Sequence, residues 1–149
     1  MSRVEFTRHE IREKALQALY PFDFSNETTK EDAIAYALEY NNAELVSEEG
    51  DMFIPTYLDQ LVEGVCSHKE ELDTLIQDNL KKWTLARIAK PDLIIMRIAI
   101  FEMKYSQDIP AKVALNEALE LTKKYSDDDS RKFVNGVLSN IIKKENLEG

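Results

Sequence analysis

The chain has 149 residues, of which 44% are apolar and 32% charged, with four Gly, four Pro and one Cys. That length and apolar content support one domain with a sizeable core, and they exclude a disordered chain, a loop-rich all-β fold and an intrachain disulfide. The net charge of −9 sits in the middle: residues 1–24 balance four acids against four bases, residues 25–79 hold fourteen acids and two bases, and residues 80–149 hold ten acids and thirteen bases, so a basic face built from both ends is not excluded.

Thr7-Arg8-His9-Glu10 reads as a capping box, in which the Thr hydroxyl accepts from the amide three residues on and Glu10 reaches back. Ile11, Ala15, Ala18, Leu19 and Phe22 follow at helical spacing, which places helix one over about 7–22. Thr28-Thr29-Lys30-Glu31 offers a second box before helix two at about 29–40. Asn41 to Asp51 is acidic and weakly periodic and reads as loop. Ile54-Pro55 opens helix three, whose buried stripe is Tyr57, Leu58, Leu61, Val62 and Val65, with Gly64 inside it for a close helix contact. Cys66 falls in this apolar stretch and reads as a buried, inert thiol. Ser67-His68-Lys69-Glu70 reads as a third capping box opening a short helix with Leu72, Leu75, Ile76 and Leu80 on one side.

Lys90-Pro91-Asp92 begins a helix that is apolar nearly all round, with Leu93, Met96, Ile100 and Met103 flanked by Ile94, Ile95 and Ala99. Such a helix belongs at the centre of a core. Pro110 starts the next, with Ala114, Ala118, Leu121 and Tyr125 inward, and the last begins near Asp129 and buries Val134, Val137, Leu138 and Ile141. The expectation is an all-α fold of about seven helices in two packed halves, one over about residues 1–80 and the other over about 81–149.

Enzyme motifs are missing. The four glycines are scattered at 50, 64, 136 and 149, the two histidines, His9 and His68, are far apart, and no Gly-x-Ser-x-Gly occurs. Asp127-Asp128-Asp129 lacks the alternating ligands and mid-loop Gly of a calcium loop and reads as a helix N-cap cluster. The reading is therefore a protein that is not an enzyme, with no metal and no cofactor. No apolar run approaches a membrane span and the N-terminus has no apolar leader, which points to the cytoplasm and to no membrane partner.

The remaining candidates sit at helix ends. Arg8 and Arg12 are four apart on helix one and share a face, with Lys14 and Gln17 near that side; the competing reading is a solvated face tied to neighbouring Glu residues. Arg131, Lys132 and Phe133 occupy the first turns of the last helix. Cations there oppose the helix dipole, so local stability does not account for them, and an anionic partner such as RNA phosphate does. Phe133 reads either as core or as a base-stacking ring. Lys123 and Lys124 complement the end of the preceding helix. Trp83 after Lys81-Lys82 reads either as a nucleic-acid contact or as an anchor between helical halves.

Four stretches carry a resemblance to a known family. Arg8-x-x-x-Arg12-Glu-Lys-Ala-Leu-Gln-Ala-Leu-Tyr20, Ile95-Met-Arg-Ile-Ala-Ile-Phe-Glu102, and Ile109-Pro through Asn116-Glu117-Ala118 with Phe133-Val-Asn-Gly-Val-Leu138 resemble, in that order, the NusB family of transcription antitermination factors. The resemblance spans nearly the whole chain. It implies a single all-helical RNA-binding domain, not an enzyme, that pairs with the ribosomal protein NusE. The pair binds boxA RNA and helps RNA polymerase read through terminators, notably in ribosomal RNA operons. Carried over by position, the RNA surface comprises Arg8, Arg12, Gln17, Asp129, Arg131, Lys132 and Phe133, and the NusE surface Tyr20 and Asp92. His9 and Glu10 interrupt the arginine run that family members often carry, and Asn26 to Phe53 resembles the family least. Two alternatives come from other classes: a protein-only scaffold or homodimer, and the NusB-like module of a ribosomal RNA methyltransferase, against which the end of the chain at Gly149 without a catalytic domain is taken to speak.

Overall fold

The computed structural model describes residues 7–23, 29–39, 56–80, 84–106 and 108–147. All regular structure among them is helical: α1 (Arg8–Leu19), α2 (Lys30–Glu39), α3 (Thr56–Ser67), α4 (Lys69–Asp78), α5 (Lys90–Tyr105), α6 (Ala111–Tyr125) and α7 (Asp128–Lys144), with short 3-10 turns at Tyr20–Asp23 and Leu85–Arg87. This is the expected all-α fold. By its contacts the chain divides into two compact units, Met1–Glu63 and Gly64–Gly149, with the boundary inside α3. The loop assigned to Asn41–Asp51, the Ile54-Pro55 helix start and the Lys81-Lys82-Trp83 cluster lie outside the described residues.

In the first unit α1 packs on α2. Thr7 begins α1 as the sequence requires: its hydroxyl accepts from the Glu10 amide at 3.1 Å and Glu10 accepts from the Thr7 amide at 2.9 Å. Ile11, Ala15, Leu16, Ala18 and Leu19 turn inward, as do Ala33, Ile34 and Ala37 of α2 and Leu58, Leu61 and Val62 of α3. The cap of α2 is shifted by one residue from the expected register, because the Thr29 hydroxyl accepts from the Asp32 amide at 3.1 Å. Lys30 then reaches Asp59 at 3.1 Å and Glu63 at 3.3 Å, tying α2 to α3.

The second unit is organised by α5, on which α4, α6 and α7 all pack. Seven apolar α5 side chains, from Leu93 to Ile100, are buried, as its all-round apolar sequence implied. Each fully buried Leu, Ile or Met contributes about 2 kcal/mol by transfer from water, which makes this helix the main source of the unit's stability. The inward residues expected on α6 and α7 are buried too, except that Tyr125 is only half-buried, and Thr122 and Ile142 join them. Thr122 is tolerated inside because its hydroxyl donates to the Ala118 carbonyl at 2.8 Å.

Two local expectations need correction. Ser67 opens no capping box: α3 runs through it, so its backbone is helical, and His68 alone separates α3 from α4 without a side-chain cap. The His68 ring instead meets the Gly64 carbonyl through Nδ1 at 2.9 Å and stacks near Tyr105 and Phe101, at 4.4 and 5.7 Å between centroids. Cys66 is exposed, not buried. It follows Val65 by one residue, and a rotation of about 100° per residue carries it off the inward stripe.

α5 also holds a polar group that sequence reading passed over. Arg97, 5% exposed, donates through Nε and a terminal nitrogen to the two carboxylate oxygens of Asp73 on α4, at 2.7 and 3.0 Å. The fork geometry satisfies the guanidinium within an otherwise apolar helix.

Candidate functional site

The start of α7 is built by its cap. Asp127 has an extended backbone and its carboxylate accepts from the Ser130 amide at 2.8 Å, so the acidic run is a helix start, as read. Asp128 and Asp129 in the first turn complement the positive helix end. Arg131 and Lys132 follow, both exposed, and neither side chain forms an ion pair with a described residue. Phe133 is half-buried, in contrast to Val134 behind it, which has no exposure.

Phe133 lines a cavity of about 320 Å³ with Asp129, Ser130, Asp92 and the segment Arg87-Ile88-Ala89. Three residues singled out in the sequence, Asp92, Asp129 and Phe133, therefore meet in one place although they lie up to 41 positions apart. Pro91 and the extended Ala89 fix the start of α5, and this sets Asp92 in its first turn. Asp92 is 3% exposed, and its buried Oδ1 has no hydrogen-bond donor among the described residues. An acid in a first helical turn normally faces water, where it complements the dipole at no desolvation cost. Arg87 was not singled out from the sequence; it ends a 3-10 turn, is exposed, and forms no ion pair with a described residue. Its signal was available: a cation in the segment between helices, five residues before Asp92.

The α1 candidates divide by burial. Arg8 is exposed and its guanidinium lies 3.9 Å from the centroid of the Tyr57 ring, a cation–π contact within the first unit. Arg12 is 3% and Lys14 6% exposed, and Gln17 is half-buried. Arg8 and Arg12 thus do not form one open basic face in this structure: Arg12 lies one turn further into the helix, among Ile11, Ala15 and Leu16. Tyr20, expected at a protein surface, is 38% exposed at the end of α1. No described helix is long and apolar enough to cross a membrane.

Comparison with known proteins adds to this geometry. Residues 9–143 match the model of the NusB family. The chain is 62% identical over 149 residues to the transcription antitermination protein NusB of Enterococcus faecalis, covering 99% of this chain and 97% of that protein. The fold is similar to that of T. maritima NusB, with a TM-score of 0.78 and 27% identity over 95% of this chain and 94% of that one. It is also similar to a chain in a crystal structure of the antitermination factors NusB and NusE in complex with dsRNA, with a TM-score of 0.76 and 26% identity over 92% of this chain and 96% of that one. A family match across almost the full length, a highly identical relative and the same helical fold together place this chain in the NusB family of transcription antitermination proteins.

Proposed function

We propose that this antitermination factor acts in the cytoplasm by binding boxA-containing single-stranded RNA jointly with NusE, within an RNA polymerase complex that reads through terminators in ribosomal RNA operons. The observation that carries the reading is the start of α7, where Arg131 and Lys132 stand exposed, without an ion-pair partner among the described residues, beside the half-buried ring of Phe133. Surface cations without counter-charges suit phosphate, since each phosphate neutralised releases condensed counterions. An aromatic ring beside them suits an unstacked base, the usual target in single-stranded RNA. The relative solved with NusE and RNA supports both partners.

In this account Arg131 and Lys132 hold the backbone and Phe133 stacks a base. Arg8 adds a positive charge from α1, and Arg12, Gln17 and Asp129 complete the RNA set by resemblance. The exposed Tyr20 ring faces NusE. The experiment is RNA binding by a Lys132→Glu variant, compared with wild type by fluorescence anisotropy. Affinity falls and thermal stability is unchanged; equal affinity for both proteins removes this surface from the account.

A further inference from the structure

Gly136 is the residue of α7 that the fold does least to explain. It stands at the middle of the helix, where glycine is less favourable than any residue except proline. Its backbone is helical, so no positive φ requires it. A β-carbon built there meets no atom of a neighbouring element within 4 Å among the described residues, so no close packing requires it either. Asn135 beside it is exposed and is also a poor helix former. An open notch kept at a loss of helix stability fits a partner whose own backbone comes close.

The surroundings of the notch specify the partner. Gly136 lies at the centre of the exposed face of α7, opposite the buried Val134, Leu138 and Ile141. Lys132 is one turn before it and Lys143 two turns after, both exposed on that face and about 16 Å apart along the axis. A helical residue covers the turn N-terminal to its own α-carbon, so the missing side chain opens the surface beside Lys132 and Phe133. Between the two lysines the face carries Gly136, Ser139 and Asn140, all uncharged. From Arg131 to Lys144 the helix holds four bases and no acid, in a chain of net charge −9. The Ser139 hydroxyl donates to Asn135 Oδ1 at 3.3 Å, which leaves the Asn135 amide nitrogen as a donor with no described acceptor. Lys143 and Lys144 also complement the C-terminal end of the helix, so local stability accounts for them; it does not account for Gly136.

We propose that the sugar–phosphate backbone of single-stranded RNA crosses the exposed face of α7 at Gly136, on a path from Lys132 toward Lys143. The absent side chain lets the strand reach the helix surface. The lysines on either side meet phosphates, and the Asn135 amide and the Ser139 and Asn140 side chains meet sugar or phosphate oxygens. This inference rests on the RNA-binding reading above and deepens it, carrying the RNA path along α7 beyond Phe133 and making Gly136 a positioning residue. A second copy of this chain is the competing occupant, since a glycine notch also lets two helices cross. A symmetric pair sets the same lysines of both copies against each other, whereas phosphate neutralises them.

The test compares wild type, Gly136→Ala and Gly136→Leu by thermal melting and by anisotropy of labelled boxA RNA with NusE present. Alanine and leucine are better helix formers, so both variants melt above wild type. RNA affinity moves the other way. It falls in Gly136→Ala and falls further in Gly136→Leu, by about ten-fold, the scale of one lost contact at such an interface. Raised melting with unchanged RNA affinity in both variants overturns the proposal and leaves the RNA-binding reading standing. A lowered melting point in Gly136→Ala also overturns it, because the glycine is then a requirement of the fold. Sedimentation that shows a wild-type dimer, dissociated by Gly136→Leu, assigns the notch to a second copy and overturns it. So does weaker binding of NusE by Gly136→Leu in the absence of RNA, which assigns the notch to a protein partner. Failure of the wild-type protein with NusE to bind boxA RNA overturns the RNA-binding reading itself, and this proposal with it.

Discussion

The ring of Phe101 on α5 lies directly over the α-carbon of Gly64 on α3, so a methyl group added at Gly64 would overlap the ring carbons Cζ and Cε1. Glycine is required here by the close approach of a neighbour and not by its own backbone, which is helical. Gly64→Ala therefore sets an overpacking cost of about 1–3 kcal/mol against a gain of about 1 kcal/mol in helix propensity. The net outcome is a loss of up to about 2 kcal/mol, read as a lower midpoint in urea unfolding. In a Phe101→Leu background the same change costs less, and a double-mutant cycle measures the difference.

The Arg97–Asp73 pair makes a second prediction. Asp73→Ala removes the acceptor of two hydrogen bonds from a guanidinium whose side chain is 6% exposed. Breaking a buried pair from one side costs about 3–5 kcal/mol, and the 21% exposure of Asp73 lowers this to about 2–3. Asp73→Asn keeps one acceptor oxygen and loses less. Chemical denaturation of both variants orders them; equal stabilities would mean that the pair contributes through shape alone.

Glu71 gives the fold a pH dependence. Its carboxylate accepts from Lys104 Nζ at 2.8 Å and from the Tyr105 hydroxyl at 2.7 and 2.9 Å. The Lys104 hydrogen bond first, and the Tyr105 hydrogen bond second, hold the Glu71 carboxyl below its ordinary 4.5. A depressed folded-state pKa contributes stability that is complete above the unfolded value and is lost as pH falls through the folded one. The same contacts raise Lys104 above 10.5 and Tyr105 above 10.0, so their contribution is present below those values and is lost as pH rises through the folded ones. The stability gap between wild type and Glu71→Gln is therefore widest between about pH 5 and 10 and narrows at both ends. Thermal melts across pH check this, and a constant gap would exclude the ionic contribution.

Burial separates the arginines by what their loss does. Arg12→Ala removes a charged side chain that is 3% exposed and costs about 1–3 kcal/mol of stability. Arg131→Ala, at an exposed position, stays within about 0.5 kcal/mol and lowers RNA affinity, with the salt dependence shallower by roughly 0.7 for the lost phosphate contact. Melting curves separate the two proteins, with the midpoint lowered in Arg12→Ala and unchanged in Arg131→Ala, and a salt titration reads the lost phosphate contact of Arg131.

Much of the fold was legible because its signals are local. The Thr7–Glu10 box, Pro91 at the start of α5, and the apolar positions of α5 and α7 act through spacing and backbone geometry, which a sequence displays directly. Ser67 was misread because its role depends on whether α3 continues, and Cys66 because an apolar neighbourhood in sequence does not fix which face of the helix a residue takes. The same Ser-x-x-Glu pattern caps a helix only where the preceding chain is extended, and here it is helical. Arg97 was missed because its partner lies 24 residues away on another helix. The cavity was legible in parts: Asp92, Asp129 and Phe133 stood out individually. Their convergence, and the burial of an acid in a first helical turn, arise from how α5 and α7 pack.

The central claim is sequence-selective RNA binding shared with NusE. The most direct test is anisotropy of labelled boxA RNA against a scrambled RNA, with and without NusE, over a salt series. The account predicts selective binding that NusE strengthens, with a log–log salt slope of about −0.7 per phosphate contact. Equal affinity for boxA and scrambled RNA, with NusE present, would contradict it.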